Sequence, residues 1–463
     1  MASITSSGIG SGLDIAGLVQ QLVAAEAAPV STRIAQKEAR VQTKLSAFGN
    51  LKSALADFRD QVDKMRTANS FLTRKAASGN EDLFTVSVSE SALPARYSVE
   101  VAQLAQSQKL TSGTFADQDA VVGTGELTVT VGTETFIIDV TTENNTLAGI
   151  RDSINGALDN TGVSATIVNA DAGSYLILTG DNTGAANNMT VTQTGGDGGL
   201  SALEYDPGAG LNSMTESIAA QDALVRIDGF DVLSSTNTIV GAVDGVTLNL
   251  LQADPGLPAS LQIDNDTDTV TQVINDFVAS YNALIETFDQ LTSYDAESEL
   301  AGPLLGDATI RGIRDQIRRE FSTNVENISA PFNSLGEIGI EIQLDGKLSV
   351  VDADLSTVLD ENFSNLGQLF AATDGFAVRL FDLADSYLAT GGIIATRTDG
   401  LNRSIEEFSE QRDKLGDRLA SLEGRLLRQF NALDSLIGQL NQTSNFLSQQ
   451  LSNLPGFVQR DRN

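Results

Sequence analysis

The chain has 463 residues, enough for about three or four domains, and carries 61 acidic against 29 basic side chains, a formal net charge of −32. That balance argues against nucleic acid as a partner and against docking on an anionic membrane, because both present phosphates that repel it. The chain has no Cys, Trp or His, which excludes disulfides, thiolate metal sites, thiol nucleophiles and a histidine-based triad.

No apolar run reaches the ~18 residues of a membrane span. The N-terminus has no basic n-region, and Gln20 and Gln21 interrupt its apolar stretch, so it does not read as a secretory signal peptide. The charge is uneven. Between Lys109 and Arg311 only Arg151 and Arg226 are basic, against 29 Asp and Glu, whereas Arg33 to Lys75 holds ten basic and four acidic residues. The middle is therefore expected to present a strongly solvated surface.

Residues 1–12 are small, polar and Gly-rich and read as flexible. Asp14 is suited to cap a helix whose apolar face is Ile15, Leu18, Val19, Leu22 and Val23, ending near Pro29. Val41, Leu45, Phe48, Leu55, Phe58, Val62 and Met65 then keep a four-three alternation if Lys52 fills one place, its stem lying along the seam and its ammonium reaching water.

Beyond Met65 the period changes to two. Phe84, Val86 and Val88 alternate, as do Tyr97, Val99 and Val101, which predicts two strands. The Gly-, Ser- and Asp-rich stretch 112–124 marks a boundary. Next come strands at Leu127–Val131 and Phe136–Val140, a helix capped by Thr146 and bearing Leu147, Ile150, Ile154 and Leu158, and further strands with Val163, Ala165 and Ile167, then Tyr175 and Ile177, then Met189 and Val191. Residues 194–213 read as a loop. Strands resume at 224–227 and 246–250, each beside an Asp-Gly turn, and end with Leu261 and Ile263.

A second seam helix opens near Asp268: Val270, Ile274, Phe277, Tyr281, Leu284, Phe288 and Leu291. A shorter helix carries Ile310, Ile313, Ile317 and Phe321. Ile338, Ile340 and Ile342 lead through Asp345-Gly346 to Leu348 and Val350, a hairpin signal. Phe376, Leu380, Leu383 and Tyr387 form another helical stripe. Last is the longest seam, Leu401 to Leu451, with Arg412 and Ser444 as polar breaks and a stutter at Leu422, Leu426 and Phe430. A continuous helix there is about 75 Å long, and its stripe requires partners. The matching stripes near the start, middle and end of the chain predict a multidomain α+β fold, with terminal helices in a coiled-coil or bundle stalk and β-rich α+β domains inserted between them.

Sites that imitate chemistry fail on inspection. Gly8-Ile-Gly-Ser-Gly12 has no preceding strand and Leu13 in place of a third glycine. Asp264 to Asp268 opens like a calcium loop, yet Thr269 and Asn275 stand where Gly and Glu are needed; helix capping by Asp268 is the better reading. The acidic residues single out no glycosidase pair. No catalytic residue, cofactor or metal is expected.

The run SSGIGSGLDIAGLVQQLVAAEAAPV, Ser6 to Val30, resembles the opening of the bacterial flagellar filament cap (hook-associated) proteins. LTVTVGTETFIIDV and NTLAGIRDSING, within 125–192, are similar to the repeat of flagellins and hook-associated proteins. QDALVRIDG from Gln221, NTIVGAVDGVTLNLL, GIEIQLDGKLSV and LDSLIGQLNQTSNFLSQQL match the style of the family's C-terminal half.

The resemblance implies a non-enzymatic axial protein at the filament tip. It implies secretion through the flagellar type III export apparatus, and a homo-oligomeric cap of roughly four to six copies, with about five as the default. It implies flagellin, hook-associated junction proteins and an export chaperone as partners. It divides the chain into terminal legs (1–38 and 440–463), a helical stalk with a small α+β head (39–70 and 270–439), a β-rich middle domain (71–115 and 216–269) and an outer domain (116–215). The residues expected to serve assembly are Ile15, Leu18, Leu22 and Val23 with Phe446, Leu447 and Leu451, apolar faces at polar ends. A surface adhesin or another axial protein, such as a hook–filament junction protein, are the alternatives.

Overall fold

The computed structural model describes residues 11–297 and 299–452. Its helices are α1 (Ile15–Asp63), α2 (Leu147–Gly156), α3 (Thr267–Thr292), α4 (Ala308–Ser322), α5 (Asp352–Ala371), α6 (Phe376–Leu388) and α7 (Ile393–Ser452). Contacts divide the chain into two units. One holds residues up to Ala68, Val273–Val358 and everything from Gln368; the other holds Asn69–Gln272 and Leu359–Gly367.

The first unit is helical. Asp14 caps α1, accepting from the Gly17 N–H at 3.0 Å. The helix does not end near Pro29: it continues through it to Asp63. Pro29 removes one N–H and sets its ring against the Ala25 carbonyl, a local cost the helix bears because residues on both sides of it, Val19 and Ile34, are packed. The seam of α1 also differs from expectation. Phe48, Leu51, Leu55, Phe58, Val62 and Met65 are all buried, at steps of three and four, while Lys52 is exposed. Leu51 takes the place assigned to Lys52, since an apolar side chain at that height gains more from burial than a lysine stem.

All seven seam residues of α3 are buried, as are Ile310, Ile313, Ile317 and Phe321 of α4. Rings bind this core: Tyr281 stands edge-on to Phe321 at 4.8 Å, and Phe277 touches Phe58, Phe321 and Phe370 at 6.1 to 6.2 Å. The Ile340–Ile342 and Leu348–Val350 strands form the expected hairpin. α5 was not anticipated.

The second unit holds two β-rich cores. In the first, a five-stranded antiparallel sheet runs in the order Arg74–Ser78, Ala259–Asn265, Ala95–Gln103, Ala223–Ile227, Phe230–Ser234. A three-stranded sheet of Thr238–Val240, Val246–Leu250 and Phe84–Val88 shares its core, which includes Val99, Val101, Val225, Leu248 and Leu261.

The second core packs α2 with two sheets. One is ordered Leu211–Asn212, Tyr205–Asp206, Met189–Thr194, Gly125–Val131, Glu134–Val140; the other Thr215–Ile218, Lys109–Thr111, Gly173–Gly180, Val163–Ala170. The chain leaves the first core after Gln103 and re-enters at Ala223, on neighbouring strands. Gln106 and Gln221 exchange backbone hydrogen bonds of 2.9 and 3.1 Å at that neck. The second core is thus an insertion between two adjacent strands, so neither sheet order is disturbed by it.

Four local readings are corrected. Leu158 lies outside α2 and is fully exposed, because the helix stops at Gly156. In Gly173–Gly180 it is Leu176 and Leu178 that are buried, with Tyr175 and Ile177 on the other face. The 194–213 loop contains a short 3-10 turn and two short strands that bury Leu200, Leu203 and Tyr205. α3 is capped by Asp266, which accepts from the Thr269 N–H (3.1 Å) and hydroxyl (2.7 Å), while Asp268 pairs with Lys75 at 2.9 Å.

Candidate assembly surface

The terminal helices α1 and α7 form a two-stranded antiparallel stem. Three polar links fix its register: Ser11 N–H to Asp434 (2.7 Å), Arg418 to Glu26 (3.3 Å) and Arg412 to Glu38. Arg412, read from sequence as a break in the seam, donates through both terminal nitrogens to Glu38, at 2.5 and 3.2 Å. Glu38 is only 8% exposed. A nearly buried carboxylate is tolerable there because a guanidinium meets it at the same height, and the pair penalises any slip of one helix past the other.

A two-helix stem cannot enclose its own seam. After Ile394 no described residue of α7 is fully buried; the apolar seam residues from Leu401 to Ile437 are only half-buried apart from exposed Leu433, and Leu440 beyond them is exposed too. Past Asp434 the helix continues to Ser452, about 27 Å at 1.5 Å per residue, with every side chain from Gln439 to Ser452 exposed.

The expected assembly residues fall into three classes. Ile15 is 3% exposed, so it belongs to the packed side of the stem, as does Val19. Val23 is half-buried. Leu18 and Leu22, about 45% exposed, point away from the packed side one turn apart. Phe446, Leu447 and Leu451 are 60, 53 and 68% exposed and lie on the overhang, farther along than Ser11. The structure therefore does not bring the two groups together; they follow one another along the stem. Sequence reading missed Leu436, which joins Leu433 and Leu440 in extending the exposed apolar row. It falls outside a strict seam and only its exposure reveals it.

A row of large apolar side chains on a solvated helix is the kind of surface that partners cover. No helix among the described residues is long and apolar enough to cross a membrane.

Comparison with known proteins gives this architecture a place. The family model for the flagellar hook-associated protein 2 C-terminus matches residues 220–442, that for its N-terminus matches 11–108, and the flagellin hook IN motif matches 126–182. The A-type flagellar hook-associated protein 2 of Pseudomonas aeruginosa is 34% identical over 477 residues, 99% of each chain. Flagellar hook-associated protein 2 of Escherichia coli K12 is 35% identical over 471 residues, 98% of this chain and 99% of that one. The crystal structure of the D1-D2-D3 domains of the flagellar cap protein FliD from Escherichia coli matches with a TM-score of 0.67 at 34% identity, covering 77% of this chain and 99% of that chain. The chain belongs to the flagellar hook-associated protein 2 family, the family of the flagellar filament cap.

Proposed function

We propose that the chain caps the distal tip of the flagellar filament as a homo-oligomeric ring, retains exported flagellin there and promotes its insertion. The reading rests on end-to-end relation to flagellar cap proteins, and one observation gives it a mechanism. That observation is the bare apolar row from Leu433 to Leu451, together with Leu18 and Leu22 farther back along the stem on α1. The row binds at the filament end, and the terminal segments 1–38 and 440–463 act as legs. Each leg has a limited apolar footprint, so it can release and rebind while the others hold, and the cap advances as each flagellin adds.

In the same reading the stalk spans 39–70 and 270–439, the β-rich middle 71–115 and 216–269, and the outward domain 116–215. The ring holds roughly four to six copies. Hook-associated junction proteins and an export chaperone are the remaining partners, and the chain travels through the type III export channel. The role assigns it no reaction to catalyse.

The test is substitution of Leu18 and Leu22 by Asp in the full chain, expressed in a strain lacking the native gene. Filaments should be lost and flagellin monomer should leak into the medium, while the melting of the β-rich unit is unchanged. Normal filaments in that strain would remove the apolar legs from the account.

A further inference from the structure

The stem carries a charge pattern that its own two helices leave open. On α1, Arg33, Lys37, Arg40 and Lys44 follow at steps of four, three and four, so they line one face. All four are exposed, and among the described residues none makes an ion pair or hydrogen bond. Like charges so spaced weaken a helix, which leaves the row without a purpose inside one copy. Arg33 and Lys37, with Lys414 and Arg418 across from them, rim a groove of about 350 Å³ floored by Val30, Ile34 and Leu415.

α7 carries the complement. Glu406, Glu410, Asp413 and Asp417 have the same steps of four, three and four and are likewise exposed. Among the described residues only Glu410 of these four has an ionic partner, Lys414 one turn on at 3.3 Å. These acids lie one or two positions off the seam through which Arg412 meets α1, so they do not face the basic row of their own copy.

We propose that the basic row of α1 docks on the acidic row of α7 in a second copy, the two stems side by side. Taken antiparallel, Arg33 meets Asp417, Lys37 meets Asp413, Arg40 meets Glu410 and Lys44 meets Glu406, in one register without a slip. Copies standing parallel supply that antiparallel sense, because α1 and α7 of one copy already oppose each other. The heights agree too: this is the register in which Glu38 faces Arg412 within a copy, so neighbours need no stagger. A row meeting a different row is a head-to-tail contact, which closes into rings where a self-complementary one would stop at dimers. It also answers a physical difficulty, since copies of net charge −32 otherwise repel. Exposed pairs are individually weak and salt-screened, as a contact that must loosen during growth requires. The inference rests on the ring reading above and adds the contact that closes it.

The chain has no Cys, so Lys37→Cys with Asp413→Cys in the full chain introduces its only two thiols. Mild oxidation at about 50 mM salt, where screening is weak, should give a reducible ladder of dimers and larger species. The control pair Lys37→Cys with Arg403→Cys should not. No ladder, or a disulfide confined to the monomer, overturns the contact. Charge reversal guards against misfolding: one variant carries Arg33→Glu, Lys37→Glu, Arg40→Glu and Lys44→Glu, the other Glu406→Lys, Glu410→Lys, Asp413→Lys and Asp417→Lys. Each alone should lose self-association by sedimentation velocity, and an equimolar mixture should regain it. A mixture that stays monomeric, or reversal that changes flagellin binding and not self-association, sinks the proposal. If the contact fails while the wild-type chain still assembles, the ring reading stands; a wild-type chain that never assembles removes both.

Discussion

At the scale of single residues, polar groups fix where helices begin and which register they hold. Asp266 accepts two bonds from Thr269, and the Thr269 hydroxyl bond, reinforced by the Thr269 and Asp268 N–H groups and Lys75, holds its carboxyl below the usual carboxylate range despite partial burial. A carboxyl whose folded pKa lies below its unfolded value of about 4 stabilises the fold above that pH, and the contribution disappears as pH falls through the lower value. Asp266→Ala should therefore cost about 1 kcal/mol at neutral pH and flatten the acid limb of a urea-melt series below about pH 4. At the other extreme, burial pushes the Tyr281 phenol up to about 12. Its neutral form is the stabilising one, so the contribution is complete below pH ~10 and is lost as pH rises toward the folded value. Burial raises the Tyr205 and Tyr387 phenols as well, so absorbance titration should show several late-ionising tyrosines, of which Tyr281→Phe removes the one titrating last. In the stem, Arg412→Leu leaves Glu38 buried without its guanidinium and should cost roughly 1–3 kcal/mol. Glu38→Leu with Arg412→Leu together should recover most of that, because both charges are gone.

At the scale of elements, apolar period decides which stripe is buried. Leu51→Ala should destabilise the helical unit by about 2–5 kcal/mol, whereas Lys52→Ala should stay within about 0.5 kcal/mol. Equal effects would mean that the seam of α1 is placed wrongly. The helices of this chain were legible to the extent that packing made their period strict: α3, buried along its whole seam, reads directly as fours and threes. α1 was misread where its stripe shares a turn with a basic run, since Leu51 and Lys52 both satisfy a loose four-three count. Pro29 misled because the cost of a proline inside a helix is local, about 3 kcal/mol, and packing of the residues on both sides of it outweighs that. Strand faces in the outer core were legible by alternation, but Gly173–Gly180 is apolar on both faces, so period two could not choose Leu176 and Leu178 over Tyr175 and Ile177. Of the assembly residues, Leu18, Leu22, Phe446, Leu447 and Leu451 were readable as apolar residues in polar surroundings. Ile15 was not separable from them, because only the opposing helix distinguishes a covered face from a bare one.

At the scale of the whole molecule, two insertions stand in series. An outer α+β core is set between adjacent strands of the middle core, and both lie between the terminal helix α1 and the later helices. That nesting returns α1 and α7 to one stem, where α7 overhangs α1 with its apolar row bare. It also separates charge, with the acidic excess in the inserted part and the basic runs on the stem. The proposed function uses this arrangement, with the bare apolar row as the part that binds the filament end. The most direct measurement is made in a strain lacking the native gene, by quantifying flagellin monomer in the medium beside filaments on the cells. The account predicts abundant free flagellin with absent or short filaments, both reversed when the intact chain is supplied and neither reversed by Leu18→Asp/Leu22→Asp. Filaments of normal number and length in the deletion strain, with no excess monomer outside, would contradict the capping role itself.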